Sequence, residues 1–219
     1  MTLRSGYDRA LADLKEKLLT MAGMATEAVR DAVAALAQQD RALAQKVIDG
    51  DDAIDGLSYE LEEDCLKLIA LQQPVARDLR AVAAAYRMAT DLERIADHAV
   101  NIAEIALRLA DEPLIKPLID IPRMAEIVQE MVHTSLRAYV QGDPELAAAN
   151  CRRDDEVDRI FAELFDELIG YILAGAERRA LVQALNLLFA ARYLERVGDH
   201  ATNIGERVIF MVTGRKEHY

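Results

Sequence analysis

Four pairs of acidic side chains in this chain are spaced four residues apart: Asp51 with Asp55, Glu93 with Asp97, Asp154 with Asp158, and Glu195 with Asp199. On a helix that spacing stacks two like charges on one face, at a cost of about 0.2–0.5 kcal/mol per pair. Carboxylates that converge further repel strongly unless they are protonated or neutralised, and a bound multivalent cation neutralises several at once. Oxygen donors suit hard or intermediate ions, here iron, manganese, magnesium, zinc or calcium. Asn101 and Asn203 continue two of the stripes by one more turn and offer an amide oxygen each.

These residues are written twice. Asp91–Glu104 (DLERIADHAVNIAE) and Tyr193–Glu206 (YLERVGDHATNIGE) agree at nine of fourteen positions without a gap, 102 residues apart. Upstream, Asp51–Asp55 (DDAID) and Asp154–Asp158 (DDEVD) are 103 residues apart. The chain therefore reads as two copies of one structural unit.

The elements that carry the acids read as helical almost throughout. Leu11, Leu14, Leu18, Met21, Ala25, Ala28 and Ala32 step by three and four, an apolar seam, and alanine is plentiful. Breakers divide the chain into six helices: about 3–38, 41–71, 75–110, 123–140, 145–173 and 178–212. Asp40 is the expected N-cap of the second and Pro74 suits the first turn of the third. Pro113, Pro117 and Pro122 mark a linker, Gly142-Asp143-Pro144 stops the fourth helix and caps the fifth, and Gly175 ends the fifth. The expected fold is all-α: two tandem pseudo-symmetric three-helix bundles of long antiparallel helices, residues 1–112 and 123–219, joined by a Pro-rich linker over 113–122.

Folding each hairpin brings the acids to a level. Asp55 lies nineteen residues before Pro74 and Glu93 nineteen after it; Asp51 and Asp97 lie twenty-three to either side. In the second half, Asp158 with Glu195 and Asp154 with Asp199 both centre between Ala176 and Glu177. Glu93, Asp97 and Asn101 flank the apolar arc of Leu92, Ile95, Ala99 and Ile102, which places the acids on a groove or surface rather than in the core. The competing reading is a solvated acidic face, with Arg94, Arg196, Arg152 and Arg153 close enough to neutralise part of it. His98 and His200 point about a quarter turn away from the acids, and read as packing or groove residues.

Composition narrows the classes. The 219 residues are 52% apolar with a net charge of −12, which argues against nucleic acid and anionic membrane surfaces as partners. The apolar runs fall far short of the roughly 20 residues that cross a bilayer, and no secretory signal opens the chain. Cys65 and Cys151 lack a CxxC spacing and read as ordinary thiols of a reduced, cytoplasmic protein. The Glu-x-x-His of bundle-type di-iron enzymes is missing, since the acid-to-histidine spacing is five, and there is no phosphate-binding GxxxxGK[ST] loop. Nothing groups a nucleophile with a base, so no enzyme is expected.

At the doubled core Glu93–Ile102 and Glu195–Ile204, and at Gln73–Arg80 (QPVARDLR), the chain resembles the PhoU family of phosphate-transport accessory regulators over nearly its whole length. The resemblance implies a cytoplasmic negative regulator of the phosphate-starvation response that also restrains phosphate uptake. It implies an adaptor between the ATPase subunit of the phosphate ABC importer and a membrane sensor histidine kinase, reaching the membrane only through those partners, and a homodimer. It further implies multinuclear iron or zinc at Asp51/Asp55 with Glu93/Asp97 and at Asp154/Asp158 with Glu195/Asp199, as in some members; other members carry no metal. The chain departs from the family pattern at Ala96, where glycine is usual and where Gly198 keeps it; alanine on a helix should be neutral or stabilising. Its aspartates at 51, 55, 154 and 158 shorten the reach relative to glutamate, which favours fewer metals or ligation through water. Two other functions compete: a metal-independent adaptor whose acidic stripes dock a basic partner, and a carboxylate-metal hydrolase.

Overall fold

The computed structural model describes residues 3–173 and 177–219, all helix and connecting turns. The helices are α1 (Leu3–Gln38), α2 (Arg41–Gln72), α3 (Ala76–Leu109), α4 (Asp120–Gln141), α5 (Pro144–Cys151), α6 (Asp154–Leu173) and α7 (Arg178–Thr213). The expected helix stop at Gly175 and the turn centre at Ala176 lie outside the described residues.

The caps follow the side-chain chemistry. Asp40 accepts from the N–H groups of Ala42 and Leu43 at 2.9 and 3.0 Å, and Asp143 accepts from Glu145 and Leu146 at 3.0 Å each. Gly142 ends α4 in the left-handed region, φ 66°. Two prolines sit differently from expectation. Pro74 lies outside α3, ahead of its N-cap Val75. Pro122 lies inside α4, which starts at Asp120, because a first-turn residue has no intrahelical acceptor for the N–H that proline lacks.

The fifth expected helix is interrupted at Arg152–Arg153, giving α5 and α6. Buried Asn150 donates to Met131 O (2.8 Å) and Ser135 Oγ (2.9 Å), and the Arg153 N–H turns tightly onto Asn150 O (3.0 Å). The restart places Asp154 in the first turn of α6, where carboxylates are favoured.

α1, α2 and α3 form one bundle; α4 to α7 form the other. α3 and α7 pack on one another and join the two into a single buried core. The segment between α3 and α4 is latched to α7: buried Gln183 accepts from the Ile115 N–H (2.8 Å) and donates to Pro113 O (3.1 Å). Among the described residues no helix is long and apolar enough to cross a membrane. Both cysteines are buried, and burial pushes each thiol up to about 12, consistent with ordinary packing thiols.

Candidate functional site

The acidic pairs meet across the two hairpins. On α2 and α3, burial raises the pKa of Asp51 to about 6, with the charges of Asp55, Asp97, Asp52 and Glu93 adding to it. Glu93 is raised chiefly by burial, opposed by Arg94 and reinforced by Asp97 and Asp55. On α6 and α7, burial raises Asp154 to about 7, with Asp158, Asp199 and Glu195 contributing. Asp158 and Glu195 are raised as well, by burial first; for Glu195 the Arg192 hydrogen bond opposes the rise. Asp55 and Asp158 stand exposed at the edges, while Asp51, Glu93, Asp97, Asp154, Glu195 and Asp199 are half-buried.

Arginines answer part of the charge. Arg94 pairs with Asp97 at 2.8 Å and lies 3.7 Å from Glu93. Arg196 pairs with Asp199 at 3.1 Å, and Arg192 hydrogen-bonds Glu195. Arg153 turns away to Glu130 (2.7 Å). Arg192 has no counterpart in the first half, where Thr90 holds the matching position. The two asparagines differ too. Asn101 donates to Asp97 O on its own helix (2.7 Å), whereas Asn203 donates across to Asp91 Oδ1 (3.4 Å).

Sequence reasoning missed Asp91. It is 5% exposed, and it accepts from Arg207 Nε at 2.8 Å and lies 3.1 Å from His200 Nδ1, tying α7 to α3. The repeat swaps this pair: 102 residues on, Asp91 becomes Tyr193, and Tyr193 stacks on His98, the twin of His200, at 5.7 Å. His98 and His200 approach to 5.7 Å between the halves. Burial, with His200 adding, pushes His98 down to about 4, so it is a neutral packing ring, as its position on the helix predicts.

Among the described residues no three Asp, Glu, His or Cys side chains stand in a preformed metal-holding arrangement. A second observation bears on the fit. Asp154 Oδ1 is sealed from solvent and has no hydrogen-bond partner among the described residues. It lies 2.5 Å from where a Cβ on Gly198 would be, closer than a side-chain carbon could approach. A carboxylate with an orphaned oxygen, in the field of Asp158, Asp199 and Glu195, is chemically suited to a cation.

Comparison with known proteins locates the same duplication. The sequence model of one family, described as PhoU domain, matches residues 18–106 and again 121–208. A relative from Aquifex aeolicus is 42% identical, covering 94% of this chain and 92% of its own length. One from Clostridium acetobutylicum is 37% identical, covering 97% of both. Each is named phosphate-specific transport system accessory protein PhoU homolog. The crystal structure of PhoU from Pseudomonas aeruginosa superposes with a TM-score of 0.90 at 36% identity, over 95% of this chain and all of that one.

Proposed function

Because the chain belongs to the PhoU family, we propose that it is an accessory regulator of phosphate transport that holds the phosphate-starvation response off when phosphate is plentiful and restrains phosphate uptake. It acts in the cytoplasm as a homodimer, an adaptor between the ATPase subunit of the phosphate ABC importer and a sensor histidine kinase. The observation that carries this reading is the doubled motif at Glu93–Ile102 and Glu195–Ile204, lying within a family match that spans both halves. The relatives that match over nearly the whole length are named as accessory proteins. The test is a chromosomal deletion with a phosphate-starvation reporter. The reporter should be active in phosphate-rich medium without the protein and silent when it is restored; silence in the deletion strain would contradict the reading.

The acidic clusters are proposed to hold divalent cations, iron or zinc foremost and manganese or magnesium as alternatives. Asp51, Asp55, Glu93 and Asp97 would hold one site and Asp154, Asp158, Glu195 and Asp199 the other, with Asn101 and Asn203 flanking. When bound, such ions supply positive charge that ties the carboxylates of two helices together. The chain's own part is to keep six of them half-buried, with Asp55 and Asp158 exposed at the edges, and all of them mutually repelling, so that uptake of a cation relieves a standing electrostatic cost. A second reading, docking of a basic partner onto the acids without metal, draws on the exposed Asp55 and Asp158. It predicts partner affinity that falls with salt whether or not chelator is present.

A further inference from the structure

The two clusters are not copies of each other where the helices touch. An added Cβ at Gly198 would lie 2.5 Å from Asp154 Oδ1 and 3.7 Å from Val128 Cγ1. The matching residue of α3 is Ala96, 1% exposed, whose methyl already fills that place on its own helix. In accord with this, Asp154 has an oxygen that is both sealed and unpartnered, while no oxygen of Asp51, Asp55, Glu93 or Asp97 is in that state among the described residues.

We propose that Gly198 is a positioning residue that lets Asp154 turn its carboxylate inward against α7, and that the α6/α7 cluster consequently takes up a divalent cation before the α2/α3 cluster does. The inference rests on the cation reading given above and adds an order of loading and the residue that sets it. A sealed carboxylate oxygen without a donor has lost its water and gained nothing, so a cation restores more there than beside a solvated one. The opposing influence is the pairing of Arg192 with Glu195 and of Arg196 with Asp199, which a cation must displace. Those arginine side chains are 41% and 50% exposed, and pairs of that kind are weak.

The test is equilibrium dialysis against Zn2+ with metal counted by mass spectrometry, checked by the Zn2+-induced shift in melting temperature. The full chain is compared with Gly198→Ala, with Ala96→Gly, and with Asp51→Ala/Asp97→Ala and Asp154→Ala/Asp199→Ala, which assign the phases. Two phases are expected. The tighter one should vanish in Asp154→Ala/Asp199→Ala and weaken about tenfold in Gly198→Ala. Ala96→Gly should tighten the weaker phase and leave the tighter one alone, a gain that damage to the fold cannot imitate. Equal affinities at the two clusters, a tighter phase at α2/α3, or a tight phase indifferent to Gly198→Ala would overturn the proposal and leave the cation reading standing. Should Gly198→Ala fail to fold, an unchanged weaker phase in Ala96→Gly would overturn it. No Zn2+ at either cluster would overturn both.

Discussion

The α2/α3 and α6/α7 hairpins carry the same acidic motif on differently built contacts. α3 presents Ala96 and Ala103 at the positions where α7 presents Gly198 and Gly205. Each glycine of α7 admits a side chain that a methyl would strike: Asp154 Oδ1 at Gly198 and Cys151 Sγ at Gly205, each 2.5 Å from the added Cβ. The α5–α6 pair therefore seats polar atoms against α7 at places where α3 has a methyl group. Arg192 further restrains Glu195, a contact Thr90 cannot make in the first half. A duplicated motif thus keeps its charges while the packing behind it diverges, and Asp154 alone of the paired acids has an oxygen sealed and unpartnered against α7 among the described residues.

The largest energetic difference between the halves is expected where they join. Asp91 is buried and holds Arg207, His200 and Asn203, so Asp91→Ala leaves three groups without their partner and should cost about 3 kcal/mol in denaturant unfolding. The twin change Tyr193→Ala loses stacking on His98 but orphans no charge, and it should cost less. Equal losses would show that the asymmetry at this pair is without energetic weight.

Next come the glycines. Gly198→Ala and Gly205→Ala should each destabilise by about 1–3 kcal/mol through overpacking. Cys151→Ala should rescue Gly205→Ala, because it removes the atom the methyl would strike. Thermal melts of the single and double variants check this, at ~2–4 °C per kcal/mol for a chain of this size.

A smaller effect depends on pH. Asp154 titrates near 7 in the fold, against about 4 for an unfolded aspartate. Between those values the folded chain binds more protons than the unfolded one, so this group's contribution is present at low pH and lost as pH rises through about 7. Asp51 behaves likewise, with its window closing near 6. Asp154→Asn should therefore raise the melting temperature at about pH 8 by a few degrees and have no such effect at about pH 4. Asp51→Asn should give a smaller gain. The smallest change expected is Arg192→Ala, whose surface pairing is worth about 0–1 kcal/mol in the absence of metal.

Much of this was legible in the sequence. Asp40 and Asp143 announced their helix starts, and counting outward from the turns placed each acidic pair opposite its partner. The resemblance to the PhoU family agreed with the later comparisons. What stayed hidden lies where the halves differ. Comparing the copies selects identical positions, yet the α3–α7 contact sets residue 91 against 200 and residue 193 against 98, so its chemistry is written at a position where the copies disagree. Gln183 was invisible for a related reason: a single glutamine gives no sign that it will meet a loop 68 residues away. The break at Arg152–Arg153 contains neither proline nor glycine to announce it; it accompanies the hydrogen bonds that Asn150 donates to Met131 O and Ser135 Oγ of α4. Alanine in place of glycine is neutral for a lone helix, and its consequence at position 96 depends on the neighbouring helix.

If the paired carboxylates are cation sites of unequal strength, as proposed above, the protein should carry metal when purified and lose it unequally when either cluster is cut. The most direct measurement is metal content per chain by mass spectrometry, on untagged protein purified without chelator, beside Asp51→Ala/Asp97→Ala and Asp154→Ala/Asp199→Ala. Bound iron or zinc is expected in the wild type, with the larger loss in Asp154→Ala/Asp199→Ala. A folded wild type free of metal, or equal retention in both variants, would contradict the proposal.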